Sequence, residues 1–157
     1  MTDQVKPPYD DDQLVATLKD RAVRLLVRRE HSAFELRRKL RKSAPEPVVN
    51  RVLDELREEG AQSDQRFAEM VCRTRVRNGR GPVRLRYELN EHRISAEIIE
   101  ASMMVYEDEW CTRARDARVR KFGSEPPADY RAWARQARFL QQRGFTAEQI
   151  GRFTRYE

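Results

Sequence analysis

Leu89–Ile99 reads LNEHRISAEII and Leu140–Ile150 reads LQQRGFTAEQI, the same pattern at an offset of 51 residues. Leu89 matches Leu140, Ile94 matches Phe145, Ser95 matches Thr146, Glu97 matches Glu148 and Ile99 matches Ile150. A second pair, FELRRKL at Phe34–Leu40 and VRLRYEL at Val83–Leu89, has an offset of 49. A period near fifty in a chain of 157 residues leaves room for three units. Tandem units touch mainly their neighbours, so the expected body is an elongated, curved array.

The apolar residues inside each unit recur at three and four positions, the period of a helix. In DQLVATLKDRAVRLLVRRE the stripe is Leu14, Leu18, Val23, Leu25 and Leu26; in PEPVVNRVLDELREEG it is Val49, Val52, Leu53 and Leu56. SDQRFAEMVCRTRVRNG offers Phe67, Met70, Val71 and Thr74. Ser32 with Glu35, and Thr146 with Gln149, have the capping-box spacing; Ser63 and Ser95 are further N-caps, and Gly60 stands where a helix C′ glycine belongs. No segment alternates as a strand does. The expected class is all-α, three tandem three-helix units resembling helix–turn–helix repeats. The expected divisions are a flexible acidic tail at 1–12 and repeats at 13–62, 63–106 and 107–157.

Hydrophobic residues make up 39% of the chain and charged residues 37%, which suits thin layers of amphipathic helices rather than a thick core. The formal charge is +6, and arginine supplies 27 of the 32 cations. Guanidinium forks suit phosphate and carboxylate, so the composition points to an anionic partner, although a codon bias toward arginine produces the same excess. Cys72 and Cys111 fit no disulfide framework, and no apolar run is long enough to span a bilayer. The expectation is a cytoplasmic monomer that needs no cofactor.

RNGRGPVRLRYEL, from Arg77 to Leu89, concentrates this charge. Gly79 can end one helix in a left-handed conformation, Gly81 can cap the next, and Pro82 fits its first turn. The glycines and proline therefore read as a tight corner. They leave the arginines unexplained. Arg73 and Arg77 share a helix face, Arg80 lies in the turn, and Arg84 and Arg86 follow beside helix N-terminal amides that attract anions. A solvated face and a docking surface for an anionic partner both fit these five. Glu88, four residues after Arg84, is placed to orient it.

Nucleotide and catalytic readings fail on spacing. A dinucleotide loop needs a third glycine where Arg84 stands, and the phosphate loop ending in Gly-Lys-Ser/Thr is absent. His31 and His92 pair with no cysteine at zinc spacing, and no serine lies in a nucleophile elbow. Trp110, Trp133 and Phe139 read as core anchors, and Cys72 as core. A DNA-reading helix–turn–helix remains the alternative, with little after Pro82 suited to reading bases.

RNGRGPVRLRYELNEHRI resembles the signature of the RecX family: arginine, two spaced glycines, proline, basic residues and Glu-Leu. SDQRFAEMVCRTR is similar to the segment that precedes it in that family, and REHSAFELRRKL to the first-unit motif. The resemblance runs from about Leu14 to Phe153. Arg93 departs from it, because the family often has glycine before Ile94. The resemblance implies a modular helical protein that binds the RecA recombinase filament and meets single-stranded DNA through it. It further implies inhibition of filament extension, ATP hydrolysis, strand exchange and co-protease activity, with no enzymatic activity of its own. The carried-over motif residues are Arg77, Gly79, Gly81, Pro82, Arg84, Arg86, Glu88 and Leu89. Arg73, Arg77, Arg80, Arg84 and Arg86 are expected to meet the filament or its DNA, and Gly79, Gly81, Pro82, Glu88 and Leu89 to set the turn.

Overall fold

A computed structural model describes residues 10–151. Its helices fall into three triplets: α1 (Asp11–Arg28), α2 (Ala33–Leu40) and α3 (Glu46–Glu58); α4 (Asp64–Arg77), α5 (Pro82–Glu91) and α6 (Ala96–Met104); α7 (Trp110–Phe122), α8 (Tyr130–Gln142) and α9 (Ala147–Gly151). A short 3-10 turn, Glu107–Glu109, leads into α7. There is no strand among the described residues. None of the described helices is long and apolar enough to cross a membrane.

Residues 10–12, placed in the expected acidic tail, belong to α1 and its cap. Asp10 is the N-cap of α1 and accepts from the Asp12 amide, and Asp11 and Asp12 form the first turn. Carboxylates placed there meet the positive end of the helix. Residues 1–9 of that tail lie outside the described residues, as does Phe153.

Two compact units account for the three triplets, the first ending at Phe67 and the second starting at Ala68. In the first unit, Val15, Leu18 and Ala22 of α1 pack with Leu36 and Leu40 of α2 and with Val48, Val49, Val52, Leu53 and Leu56 of α3. The α1 stripe is rotated from the expected one. Val23 is exposed and Leu14, Leu25 and Leu26 are half-buried, because the steps 15, 18 and 22 keep closer to the helical period. Lys19 of α1 reaches Glu55 of α3 at 3.2 Å, and Arg51 of α3 reaches Asp12 at 2.8 Å.

The second unit buries Val71, Cys72 and Val76 of α4, Leu85 and Leu89 of α5, and Ile94, Ile99 and Met103 around α6. It also buries Trp110, Ala114, Leu140, Phe145 and Ile150. Thr74, expected on the inner face, is exposed and Met70 only half-buried, because the buried stripe of α4 follows Ala68, Val71, Cys72 and Val76. Trp133 and Phe139 are half-buried. The repeat found in the sequence is a repeat of structure. Leu89 and Leu140, Ile94 and Phe145, and Ile99 and Ile150 are all buried. Ser95 accepts from the Ile98 amide and Thr146 from the Gln149 amide, and the Gln149 side chain accepts from the Thr146 amide.

Candidate partner-binding site

The α4–α5 corner forms as its residues dictate. Gly79 has φ +74°, its N–H donates to the Val76 carbonyl at 3.0 Å, and the Arg80 N–H donates to the Arg75 carbonyl at 3.0 Å. A side chain at that φ is strained, so glycine is the natural C′ residue. Gly81 caps α5 with extended backbone, and Pro82 opens the helix. Leu89 closes it, fully buried.

What the sequence does not disclose is where this corner docks. It meets the α8–α9 corner backbone to backbone. The Gly81 N–H donates to the Arg143 carbonyl at 2.8 Å, and the Val83 N–H donates to the Gly144 carbonyl at 2.9 Å. A Cβ on Gly81 would stand 2.5 Å from the Gly144 carbonyl carbon, and one on Gly144 would stand 2.5 Å from the Arg84 Cβ. Gly144 also has φ +94°. Both glycines are thus required by close approach. This contact lies within the compact unit that begins at Ala68. It also occupies two donors at the start of α5, since the Gly81 and Val83 amides meet carbonyls.

The five arginines do not face one way. Arg73 is exposed on α4. Arg77 lies beside Arg113, Asp116 and Arg120 of α7 in a shallow hollow. Arg86 donates to Glu100 at 3.0 Å and contacts Met103 Sδ at 3.6 Å, which ties α5 to α6. Arg80 and Arg84 lie on the side of the corner that meets the third triplet. They line a hollow of about 240 Å³ with Arg75, Leu85 and Glu88. Arg84 donates to the Gln142 carbonyl at 3.3 Å, and Arg143 donates to the Asn78 carbonyl at 3.0 Å. Arg143 also lies over the Phe139 ring, 5.1 Å from its centroid.

Glu88 orients an arginine, but it is Arg75 rather than Arg84. The Arg75 Nε donates to Oε2 at 2.9 Å and Nη2 to Oε1 at 2.7 Å, a bidentate fork from α4 to α5. This fork holds the Glu88 carboxyl below its ordinary range, against the opposing effect of burial. Burial pushes the Arg80 guanidinium below its usual value, and the charges of Arg143, Arg84 and Arg75 add to the effect. Cys72, buried behind the corner, has its thiol pushed up to about 11 by burial and by Glu88 and Glu69. It is a packing residue.

Arg75 and Arg143 are the functional candidates that reading the sequence missed. Arg75 had a legible signal, because it shares the helix face of Val71, Cys72 and Val76 rather than that of Arg73 and Arg77. Arg143 had none, since only docking brings it to Asn78, 65 positions earlier.

Models of the RecX family match the chain in three stretches: the first three-helix domain at residues 19–56, the second at 63–103 and the third at 107–154. A regulatory protein RecX of Halorhodospira halophila is 45% identical over 134 residues, 85% of this chain and 83% of that protein. One of Pseudomonas entomophila is 42% identical over 132 residues, 83% and 85% of the two chains. The crystal structure of RecX from Lactobacillus salivarius is 18% identical and covers 88% of this chain and 93% of that one, with a TM-score of 0.76. Another, titled regulatory protein RecX, gives a TM-score of 0.77 at 20% identity, over 88% of this chain and 72% of that one. Helical triplets, corner signature and relatives agree: the chain belongs to the RecX family of regulatory proteins.

Proposed function

We propose that this protein is a negative modulator of the RecA recombinase. It binds the filament that RecA forms on single-stranded DNA and restrains filament extension, ATP hydrolysis, strand exchange and co-protease activity. It thereby acts on recombination, repair and the SOS response, without chemistry of its own. The observation that carries this reading is identity above 40% with proteins named as regulatory RecX, across most of both chains. The corner supports it physically. Arg84 is held by a backbone carbonyl in a docked, rigid corner, so its charge meets a partner at little entropic cost. Arg73, Arg77, Arg80, Arg84 and Arg86 are the proposed contacts; they serve several faces of the corner, as a groove-filling partner requires.

ATP hydrolysis by preformed RecA filaments on single-stranded DNA tests the reading. The expected result is inhibition at far less than one protein per recombinase subunit. The paired reversal Arg77→Glu with Arg84→Glu is expected to weaken inhibition by at least tenfold, with helicity by circular dichroism unchanged, because both side chains are exposed. Absence of inhibition near equimolar ratios would sink the proposal.

A further inference from the structure

We propose that the groove where α5 faces the α8–α9 corner, together with the hollow that adjoins it, holds one nucleotide of a single-stranded nucleic acid, its phosphate at Arg80 and Arg84 in the hollow, beside Arg143, and its base on Tyr87 in the groove. This deepens the regulatory reading and rests on its premise that the α4–α5 corner meets a partner. The groove has a volume of about 590 Å³, and Val83, Arg84, Tyr87, Gln141, Gln142 and Gly144 line it. The 240 Å³ hollow of Arg75 and Arg80 adjoins it, since Arg84 and Glu88 line both.

The phosphate end follows from how the guanidiniums are held. Arg84 and Arg143 are anchored on the carbonyls of Gln142 and Asn78. Neutral carbonyls fix a guanidinium in place without cancelling its charge. Arg75 differs, because Glu88 neutralises it. Arg80, Arg84 and Arg143 stand near one another as like charges, and burial first, then Arg143, Arg84 and Arg75, lower the proton affinity of Arg80 against the opposing charge of Glu88. An anion seated between them removes the repulsion, and a phosphodiester matches the fork geometry.

The base end follows from Tyr87. It is three residues beyond Arg84 on α5, and 67% of its surface is exposed. Val83, one turn earlier on the same face, is 54% exposed. An accessible ring beside a guanidinium cluster is the combination that single-strand binders use: cations follow the backbone and a ring takes the base face. Gln141 and Gln142 contribute amides that both donate and accept, as base edges require. Glu91, two turns along α5 from Arg84, also lines the groove. Its carboxylate accepts from a base N–H, which thymine supplies at N3, and repels a second phosphate, which limits the site to one nucleotide. A carboxylate-bearing peptide would satisfy the arginines but leave the ring and both amides unused.

The test is fluorescence anisotropy of a labelled oligo(dT) with the full chain and no recombinase present. Tyr87→Ala is expected to weaken binding about tenfold, and Tyr87→Phe to leave it unchanged, because stacking needs the ring and not the hydroxyl. An abasic oligonucleotide of equal length should bind the unaltered protein only as well as oligo(dT) binds Tyr87→Ala. Arg80→Gln combined with Arg84→Gln should reduce the slope of log affinity against log salt by about 0.7, the share of one phosphate on a single strand. Three results would overturn the site: no oligonucleotide binding by the unaltered protein, equal binding by Tyr87→Ala, or poly-aspartate binding with the same Tyr87 dependence. The recombinase assay keeps the two readings apart. Loss of the nucleotide site with filament inhibition intact removes this inference alone, whereas intact oligonucleotide binding without inhibition removes the regulatory reading and supports the site.

Discussion

Arg93 holds a left-handed backbone, φ +56°, at the C′ position of α5. The next residue shows why it must: the Ile94 N–H reaches back to the Leu89 carbonyl at 3.1 Å, as the Phe145 N–H reaches Leu140 at 3.1 Å in the repeated corner where Gly144 stands. Arginine pays a steric cost there that glycine avoids. Arg93→Gly is expected to raise stability by about 0.5–1 kcal/mol in urea unfolding. A second residue-scale device is His31, buried in the first unit. Its Nδ1 bonds to the Arg29 carbonyl at 2.9 Å, and its Nε2 lies 3.0 Å from Lys39 Nζ. With Lys39 donating, Nε2 accepts, so the ring is neutral and Nδ1 carries the proton. Burial lowers its pKa from 6.5, with Arg29 and Lys39 also lowering it, against the opposing Arg29 carbonyl and Glu35. The unfolded chain therefore binds the proton first. Stability is full above about pH 6.5 and falls as the pH drops below that value. His31→Gln should flatten the dependence between pH 7.5 and 5.5, followed by thermal unfolding.

At the scale of elements, α7 and α8 are held by a cation rather than by apolar contact alone. Arg118 is buried on α7, with 6% of its surface exposed. Its Nη1 donates to the Glu125 carbonyl at 3.1 Å and to Gln136 Oε1 of α8 at 3.2 Å, and its Nη2 donates to the Ser124 carbonyl at 3.5 Å. The guanidinium thus fixes the turn after Gly123 and joins it to α8. Arg118→Ala removes these donors and opens a void. A loss of about 2–4 kcal/mol is expected in chemical denaturation, with faster proteolysis between Gly123 and Asp129. In the first unit, Asp64 does comparable work for the start of α4: it accepts from the Ala33 amide at 2.9 Å and from Gln62 Nε2 at 3.0 Å.

At the scale of the whole molecule, the compact unit is larger than the repeat. Residues 68–151 lie in one compact body, within which Gly81 and Gly144 allow two corners to share backbone hydrogen bonds. Gly81→Ala puts a methyl group 2.5 Å from the Gly144 backbone. It is expected to cost about 2 kcal/mol or more, from overpacking and lost hydrogen bonds. Amide exchange checks this. Protection at Gly81 and Val83 should fall, with helices α5 and α8 following, while α1–α3 exchange as before.

The sequence by itself determined the helices, their grouping in threes, the caps at Ser32, Ser95 and Thr146, and the turn at Gly79. These depend on contacts within a few residues, which periodicity and spacing encode directly. The family signature was legible for the same reason, since it lies within one corner. Only the tertiary structure decided that Glu88 takes Arg75, that Gly81 rests on Gly144, and that Arg143 joins Arg80 and Arg84. Those partners stand 13 to 63 positions apart, and the packing of one helix pair against another selects them. No local pattern records which of several arginines will face the same carboxylate, or which will be left uncompensated beside an open groove.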